Sequence, residues 1–66
     1  MSKQEYRAYF HDVSRYVKMK NILEDLGMTT ANFYRFQKGS EFDWCMSEDT
    51  LERIKVHTTR TLRKIT

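Results

Sequence analysis

The sequence lacks proline altogether, and its 66 residues include only two glycines and one cysteine. The single cysteine, Cys45, excludes an internal disulfide. No alternating run of β-branched residues indicates a sheet, so we predict an all-α fold whose core draws on the aromatic residues, 14% of the chain. No apolar run reaches the length of a membrane span, and the first residues, MSKQEYR, lack the apolar centre of a secretion signal. We therefore expect a cytoplasmic protein without a membrane partner.

Side chains suited to catalysis or metal binding are equally scarce. Cys45, His11 and His57 are far apart in the sequence and lack the paired spacing of zinc ligands. The acidic pairs at 24–25 and 48–49 are adjacent residues, which point in different directions on a helix. No glycine-rich loop is present to hold a nucleotide phosphate. The sequence therefore favours a protein that is not an enzyme and uses no cofactor, metal or small-molecule ligand.

Length and charge limit what such a protein could bind. A chain of 66 residues is expected to form one domain, spanning residues 1–66, and to bury only roughly 60% of the surface that its unfolded form exposes. Twelve Lys and Arg against nine Asp and Glu give a net charge of +3, with a pI of 9.2. Since phosphate contacts supply most non-specific affinity for DNA, a monomer with this charge would bind it weakly. Dimerisation would double the number of contacts.

The most informative stretch is residues 19–39, MKNILEDLGMTTANFYRFQKG, which predicts two helices joined by a tight turn. The first helix has apolar residues at helical spacing: Ile22, Leu23 and Leu26. Gly27 stands where a left-handed backbone would end this helix, a conformation that glycine adopts without steric cost. Met28 is expected to fill the corner.

The second helix of this stretch is expected to start at Thr29 or Thr30, whose hydroxyl could accept a hydrogen bond from a free backbone N–H. Phe33 and Phe36 would anchor it on the core. The opposite face would then carry Ala31, Tyr34, Arg35 and Lys38, flanked by Thr30 and Asn32. Such side chains bind base edges and phosphates. Similar corners occur in proteins that never contact DNA, but this polar face favours the DNA-binding interpretation.

At these positions the chain resembles the phage repressor and Cro-type helix-turn-helix family, also called the XRE family. The matching residues are Ile22, Leu23, Gly27, Met28, Phe33, Phe36 and Gly39, followed by Met46, Leu51 and Ile54 for the helix that closes the core. Leu23 replaces the small residue usual in the family and Phe33 replaces an aliphatic one, and both enlarge the helix crossing. The resemblance implies a compact, lambda-repressor-like bundle of four or five helices containing a helix-turn-helix.

The resemblance also implies a sequence-specific transcriptional regulator that binds double-stranded DNA, as a homodimer, with residues 29–38 in the major groove. The candidates for base contact are Thr30, Ala31, Tyr34 and Arg35. The candidates for phosphate contact are Lys20, Asn21, Asn32, Lys38 and Ser40. Arg35 would pair with guanine and Ala31 would lie against a thymine methyl. Half-sites of the inverted repeat would lie about 10 to 10.5 base pairs apart.

The segments before and after this stretch are expected to complete the core. Residues 3–17 predict one helix, or a helix broken near 11–14 where Asp12 or Ser14 could cap a second start. Its inward face would carry Tyr6, Phe10, Val13 and Val17, with Tyr9 and Tyr16 beside it. Residues 39–47 predict a loop that points Glu41 and Asp43 away from DNA phosphates. Within that loop Phe42 would join the core, whereas Trp44 would lie either in the core or in a subunit interface.

The last predicted helix starts after Ser47, a capping residue followed by two acidic residues that suit the helix dipole. Its apolar positions are Leu51, Ile54, Thr58, Leu62 and Ile65. The three threonines after His57 are poor helix formers, so a kink or fraying is expected there. Leu62 and Ile65 would extend past the core, either as a loosely packed tail or as a dimer contact, and Trp44, Leu62 and Ile65 are the candidates for that interface.

Two other functions agree with the same sequence. A small helical phage-type protein could use the same helical corner to bind and inhibit a protein partner. Tyr9, Tyr34, Phe42 and Trp44 support this function, because aromatic side chains anchor protein interfaces. A nucleoid or recombination accessory protein would bind DNA with little sequence preference. Operator sequence and the sign of regulation are not encoded in a recognisable form.

Overall fold

The computed structural model describes the backbone of residues 1–65 and the side chains through Lys64, and this range is all-helical. In chain order the elements are α1 Lys3–Val13, α2 Met19–Asp25, α3 Thr30–Gln37, a 3-10 helix Ser40–Cys45, and α4 Glu48–Ile65. The predicted all-α bundle of four or five helices is therefore confirmed. Within the same range, no helix combines the length and the apolar character that a bilayer crossing requires.

Every α-helix contributes to one apolar core. Its buried members are Tyr6, Phe10, Val13, Val17, Met19, Ile22, Leu23, Phe33, Phe36, Met46, Leu51 and Ile54. The rings of Phe10 and Phe33 meet edge to face, with centroids 5.3 Å apart, which is a favourable aromatic geometry. Leu23 and Phe33, the two departures from the family pattern, are 0% and 2% exposed. The core accommodates both larger side chains without leaving either at the surface.

Helix α1 ends at Val13 and the next helix starts at Met19, so both alternatives for residues 3–17, a single helix and a second start near 11–14, are wrong. Ser14 instead closes α1, because its hydroxyl donates to the carbonyl of His11 at 2.7 Å. Val17 lies beyond the helix and still reaches the core. The sequence predicts that Tyr16 lies beside the inward face, but its side chain is 68% exposed, so that prediction is wrong. At the other end, Ser2 and Glu5 form a capping box that the sequence interpretation missed.

The corner between α2 and α3 has the predicted left-handed glycine, with a φ of 70° at Gly27. The Met28 N–H donates to the Leu23 carbonyl at 2.9 Å and the Gly27 N–H donates to the Glu24 carbonyl at 3.0 Å, the paired bonds of a Schellman motif. Thr29 is the N-cap of α3, but its side chain makes no capping hydrogen bond, so the predicted threonine cap is wrong. The anchors Phe33 and Phe36, both buried, hold α3 on the core without it.

Residues 39–47 differ most from expectation, because most of the predicted loop is a 3-10 helix. The Lys3 ammonium of α1 donates to the Asp43 carbonyl at 2.9 Å, and Arg7 forms an ion pair with the Asp43 carboxylate. These contacts fasten the segment to α1 and order it. Phe42 is half-buried, and Trp44 is 72% exposed, so a core position for Trp44 is wrong.

Helix α4 starts as predicted, with the Thr50 N–H donating to the Ser47 hydroxyl at 3.2 Å. It then runs to Ile65 without the expected kink. The threonine hydroxyls at 58, 59 and 61 donate to carbonyls four residues earlier at 2.8, 2.9 and 3.0 Å, so their polar atoms are satisfied within the helix. Leu62 is half-buried against the core rather than lying beyond it. The side chain of Ile65 lies outside the described residues.

Replacing Gly27 by alanine should lower the free energy of unfolding by about 1 to 2 kcal/mol, because a side chain is strained at positive φ. No heavy atom lies within 4 Å of the position of the new Cβ, so backbone strain alone causes the loss. Gly39→Ala is the matched control, since Gly39 is extended, with a φ of 162°. Urea unfolding should show no loss for this control. Equal midpoints for the two variants would contradict the prediction.

Helices α1 and α4 are also joined by two polar contacts at the edge of the core. The Tyr6 hydroxyl donates to Glu52 Oε2 at 2.7 Å, and the Tyr9 and Thr59 hydroxyls are 2.9 Å apart. The hydrogen bond to Glu52 raises the pKa of Tyr6 from 10.0 to about 12, with burial as the second cause. The neutral phenol is the form that the folded protein favours.

Stability should therefore fall above the ordinary pKa of tyrosine. The unfolded chain loses the Tyr6 proton first, so the contribution of Tyr6 is fully present below pH 10.0 and is lost as pH rises toward about 12. The difference in unfolding free energy between the parent and Tyr6→Phe should be constant below pH 10.0 and shrink above it. Chemical denaturation at several pH values measures this difference. A difference that does not change with pH would show that Glu52 does not hold the phenol proton.

Candidate nucleic-acid interface

The exposed face of α3 carries the side chains that the sequence predicted for base contact. Phe33 and Phe36 point into the core, and the residues on the opposite side are exposed, namely Ala31, Asn32, Tyr34, Arg35 and Lys38. Thr30, at the edge of this face, is half-buried. The Tyr34 ring rests edge-on against Phe33, with centroids 5.7 Å apart, and remains 49% exposed. A core residue therefore orients the largest side chain of the exposed face.

The charged side chains on this face, Arg35 and Lys38, are both cations. Helix α3 contains no acidic residue, and within residues 1–64 neither the Arg35 nor the Lys38 side chain forms a hydrogen bond or ion pair. Both cations are therefore available to an anionic partner. Arginine presents a planar set of donors that matches two acceptors on one base edge, whereas lysine is a point charge suited to a phosphate.

A groove of about 580 Å³ lies beside this face, where α3 meets the end of α1 and the start of α2. It brings Tyr34 of α3 together with Lys18 and Lys20, the cations at the start of α2. The residues of this groove that sequence reasoning did not select as candidates include His11, Arg15, Tyr16 and Gln37. None of the twelve lining residues is acidic. The groove thus combines cationic side chains with two exposed tyrosines, a composition suited to a nucleic-acid backbone.

The other phosphate candidates border the α3 face at different points. Asn32 lines a smaller cavity of about 430 Å³ with Ser47 and Thr50 at the start of α4. Ser40 is exposed at the start of the 3-10 helix, and Asn21 is exposed on α2 but does not line the groove with Lys20. The predicted phosphate contacts therefore surround α3 rather than forming one patch.

A buried arginine fixes the end of α3, and the sequence interpretation missed it. The Arg7 Nε donates to the Phe36 carbonyl at 2.8 Å and Nη2 donates to the Gly39 carbonyl at 2.9 Å. The same side chain pairs with Asp43, donates from Nη1 to Gln4 at 2.7 Å, and lies 4.3 Å above the centre of the Phe36 ring. Its only sequence signal is its position one turn before Phe10, in phase with the inward face.

The three subunit-interface candidates fall in different environments. Trp44 is 72% exposed on the 3-10 helix. Leu62 packs against the core of its own chain, which removes the argument that it needs a second subunit to cover it. The Ile65 side chain lies outside the described residues. Of the three, only Trp44 presents a large apolar surface in the described part of the chain.

Residues capable of metal or nucleophilic chemistry are dispersed. Cys45 lines the cavity beside Asn32, His11 lines the groove beside Tyr34, and His57 lies 3.2 Å from Asp25. Within residues 1–65, no group of three or more His, Cys, Asp and Glu side chains is placed to hold a metal ion.

Comparison with known proteins finds no match to this chain among protein-family models, curated proteins or solved structures. The function is therefore inferred from the residues and their geometry. The exposed face of α3 and the adjoining groove are the surfaces from which that inference proceeds.

Replacing Arg7 by alanine should lower the free energy of unfolding by about 3 kcal/mol, because the carbonyls of Phe36 and Gly39 lose their buried donor. Arg7→Lys should recover only part of the loss, since an ammonium cannot reach all of these acceptors at once. Arg35→Ala, an exposed arginine on α3, is the matched control and should change stability by less than about 0.5 kcal/mol. Thermal or urea unfolding measures the loss of unfolding free energy in each of the three variants. Comparable losses for Arg7→Ala and Arg35→Ala would contradict the prediction.

Proposed function

We propose that the protein is a sequence-specific DNA-binding transcriptional regulator that inserts α3 into the major groove and acts as a homodimer. The observation that carries this proposal is the exposed face of α3, where Arg35 and Lys38 have no partner within the described chain and no acidic residue interrupts the positive charge. A helix is the element that fits the width of the major groove.

Base recognition would come from the middle of this face. Arg35 would donate two hydrogen bonds to guanine, and Ala31 would contact the methyl group of thymine. Tyr34, held against Phe33, would present a hydroxyl and a ring edge with little loss of conformational freedom on binding. Thr30 is half-buried, so it would contact DNA only through its exposed part.

The DNA backbone would be held by residues that border α3. The groove offers Arg15, Lys18 and Lys20. Asn32 lines a separate cavity beside the start of α4, and Lys38 and Ser40 are exposed just after α3. Contacts that flank an inserted helix fix its orientation, and they carry no sequence information of their own.

The packing of α3 supports this role. A recognition element must hold its side chains in a fixed orientation, because small displacements break hydrogen bonds to bases. Gly27 fixes the start of α3 through the corner with α2, and Arg7 holds its end through the Phe36 carbonyl. Phe33 and Phe36 anchor the middle. The helix is therefore restrained along its length while its outer face remains open.

The exposure of Trp44 favours one alternative, a protein that binds and inhibits a protein partner. Tryptophan is enriched in the centres of protein interfaces, and Trp44 is 72% exposed. Trp44 lies on the 3-10 helix with Glu41, whose exposed charge is unfavourable beside phosphates. This surface would bind a protein and would not require the α3 face.

Arg35 and Lys38 test the proposal because they should act differently. Arg35→Ala should weaken binding to the preferred duplex by about 1 to 3 kcal/mol and relax selectivity at one base pair. Lys38→Ala should weaken binding to all duplexes alike. It should also reduce the slope of the logarithm of the binding constant against the logarithm of the salt concentration by about one. Isotherms on a duplex selected from a random pool and on its scrambled counterpart, at several salt concentrations, measure both effects.

Lys64→Ala, an exposed cation at the far end of α4, is the control and should bind like the parent. If the parent binds the selected and the scrambled duplex equally, and Arg35→Ala weakens both alike, the protein is a DNA-binding accessory protein with little sequence preference. If the parent binds no duplex near physiological salt, DNA recognition is excluded, and Trp44→Ala then becomes the variant to test against a protein partner.

A further inference from the structure

The outward face of α4 has a pattern that the proposed DNA interface does not use. Residues spaced by three or four along this face are Asp49, Glu52, Arg53, Val56, Arg60 and Arg63. At 100° per residue they lie opposite the buried stripe of Leu51, Ile54 and Thr58. Val56, at the middle of the face, is 41% exposed.

A cavity of about 520 Å³ lies along this face, between the end of α2 and α4. Leu26 and Val56 form its apolar part, and His57 and charged residues of α4 on either side of Val56 complete the lining. An apolar centre with a charged surround is the composition of a protein interface rather than of a nucleic-acid site.

Both acids of this face precede Val56, and two of its three arginines follow it; Arg53 is the exception. Glu52 precedes Val56 by four residues and Arg60 follows it by four; Asp49 precedes it by seven and Arg63 follows it by seven. Two α4 helices running antiparallel about Val56 would set each acid opposite an arginine of the partner. Parallel helices would set like charges opposite each other, which is unfavourable.

We infer that a second copy of this chain docks on the outward face of α4, with the helices antiparallel and the two Val56 side chains in contact at a two-fold axis. A two-fold contact needs a self-complementary surface, and this charge pattern provides one. The inference rests on the proposed function, in that it names the surface through which the proposed homodimer forms.

The pairing also fits the proposed DNA site in size. The 18 residues of α4 make a helix about 27 Å long. The first turn of α4 adjoins the first turn of α3, because Asn32, Ser47 and Thr50 line one cavity. Antiparallel pairing would carry the two α3 helices to opposite ends of the dimer. Their separation would then be of the same order as one turn of DNA, roughly 34 Å.

The test begins with the oligomeric state of the full chain. Sedimentation equilibrium from micromolar to millimolar concentration should show a monomer–dimer equilibrium that weakens with salt, since exposed ion pairs are screened. Val56→Asp should weaken association at least about tenfold, because two carboxylates would meet at the axis. Val56→Leu should strengthen it. Circular dichroism should show the same helix content for both variants, since Val56 points away from the core.

Charge reversal tests the antiparallel arrangement. Arg60→Glu and Glu52→Lys should each be monomeric alone, because each sets like charges opposite each other in a homodimer. Glu52→Lys also removes the acceptor of the Tyr6 hydroxyl, so circular dichroism should first show that it keeps the helix content of the parent. An equimolar mixture should dimerise again, since each acid then faces a cation of the other chain. Lys38→Glu makes the same charge change on α3 and should leave association unchanged.

Each contrary outcome has a definite meaning. A parent chain that stays monomeric at millimolar concentration, or a Val56→Asp variant that stays dimeric, overturns the inference; a mixture that fails to associate overturns the antiparallel pairing. DNA binding is scored separately with a duplex carrying one selected half-site. Monomeric Val56→Asp should still bind that duplex, and a dimeric parent that binds no DNA would refute the proposed function while leaving the α4 interface intact.

Discussion

The guanidinium group of Arg7 is the contact on which the arrangement around α3 depends. A buried cation is costly unless its donors and its charge are both matched. Arg7 meets this requirement with four acceptors, since Gln4, Asp43 and the carbonyls of Phe36 and Gly39 each receive one of its N–H groups. These partners belong to α1, to the end of α3 and to the 3-10 helix. One side chain therefore joins three segments that would otherwise meet mainly through apolar packing, which is less directional.

This arrangement explains why α3 can present positive charge outward and remain well anchored. Its last carbonyls carry partial negative charge, and the Arg7 cation lies against one of them from inside. Asp43, on the 3-10 helix, balances the charge of Arg7. Arg35 and Lys38 are thus not required for folding contacts. The same helix has a structural cation on one side and available cations on the other.

The sequence predicted the features that local chemistry determines. Gly27 ends α2 because positive φ suits glycine, Phe33 and Phe36 set the inward face by their spacing, and Ser47 caps α4. The 3-10 helix was not predictable in this way, because Arg7 and Asp43 are 36 residues apart. Nor was the basic groove, which joins Arg15 from one connection to Tyr34 of a later helix. Local sequence places Arg7 in phase with the inward face of α1, but it does not show the acceptors at 36, 39 and 43 that allow the guanidinium to be buried.

The exposed face of α3 and the outward face of α4 differ more clearly in the sign of their charges than in the number of their charges. Around α3 and the adjoining groove the side chains are cationic or neutral, which suits a polyanion that presents the same charge at every step. Along α4 both acids of the outward face lie before Val56 and two of its three arginines lie after it, so a uniform polyanion would meet carboxylates on part of that face. A surface of mixed sign is better matched by another surface of mixed sign, and the second copy of the chain has the required pattern by symmetry. The chain therefore has one surface suited to nucleic acid and another suited to itself.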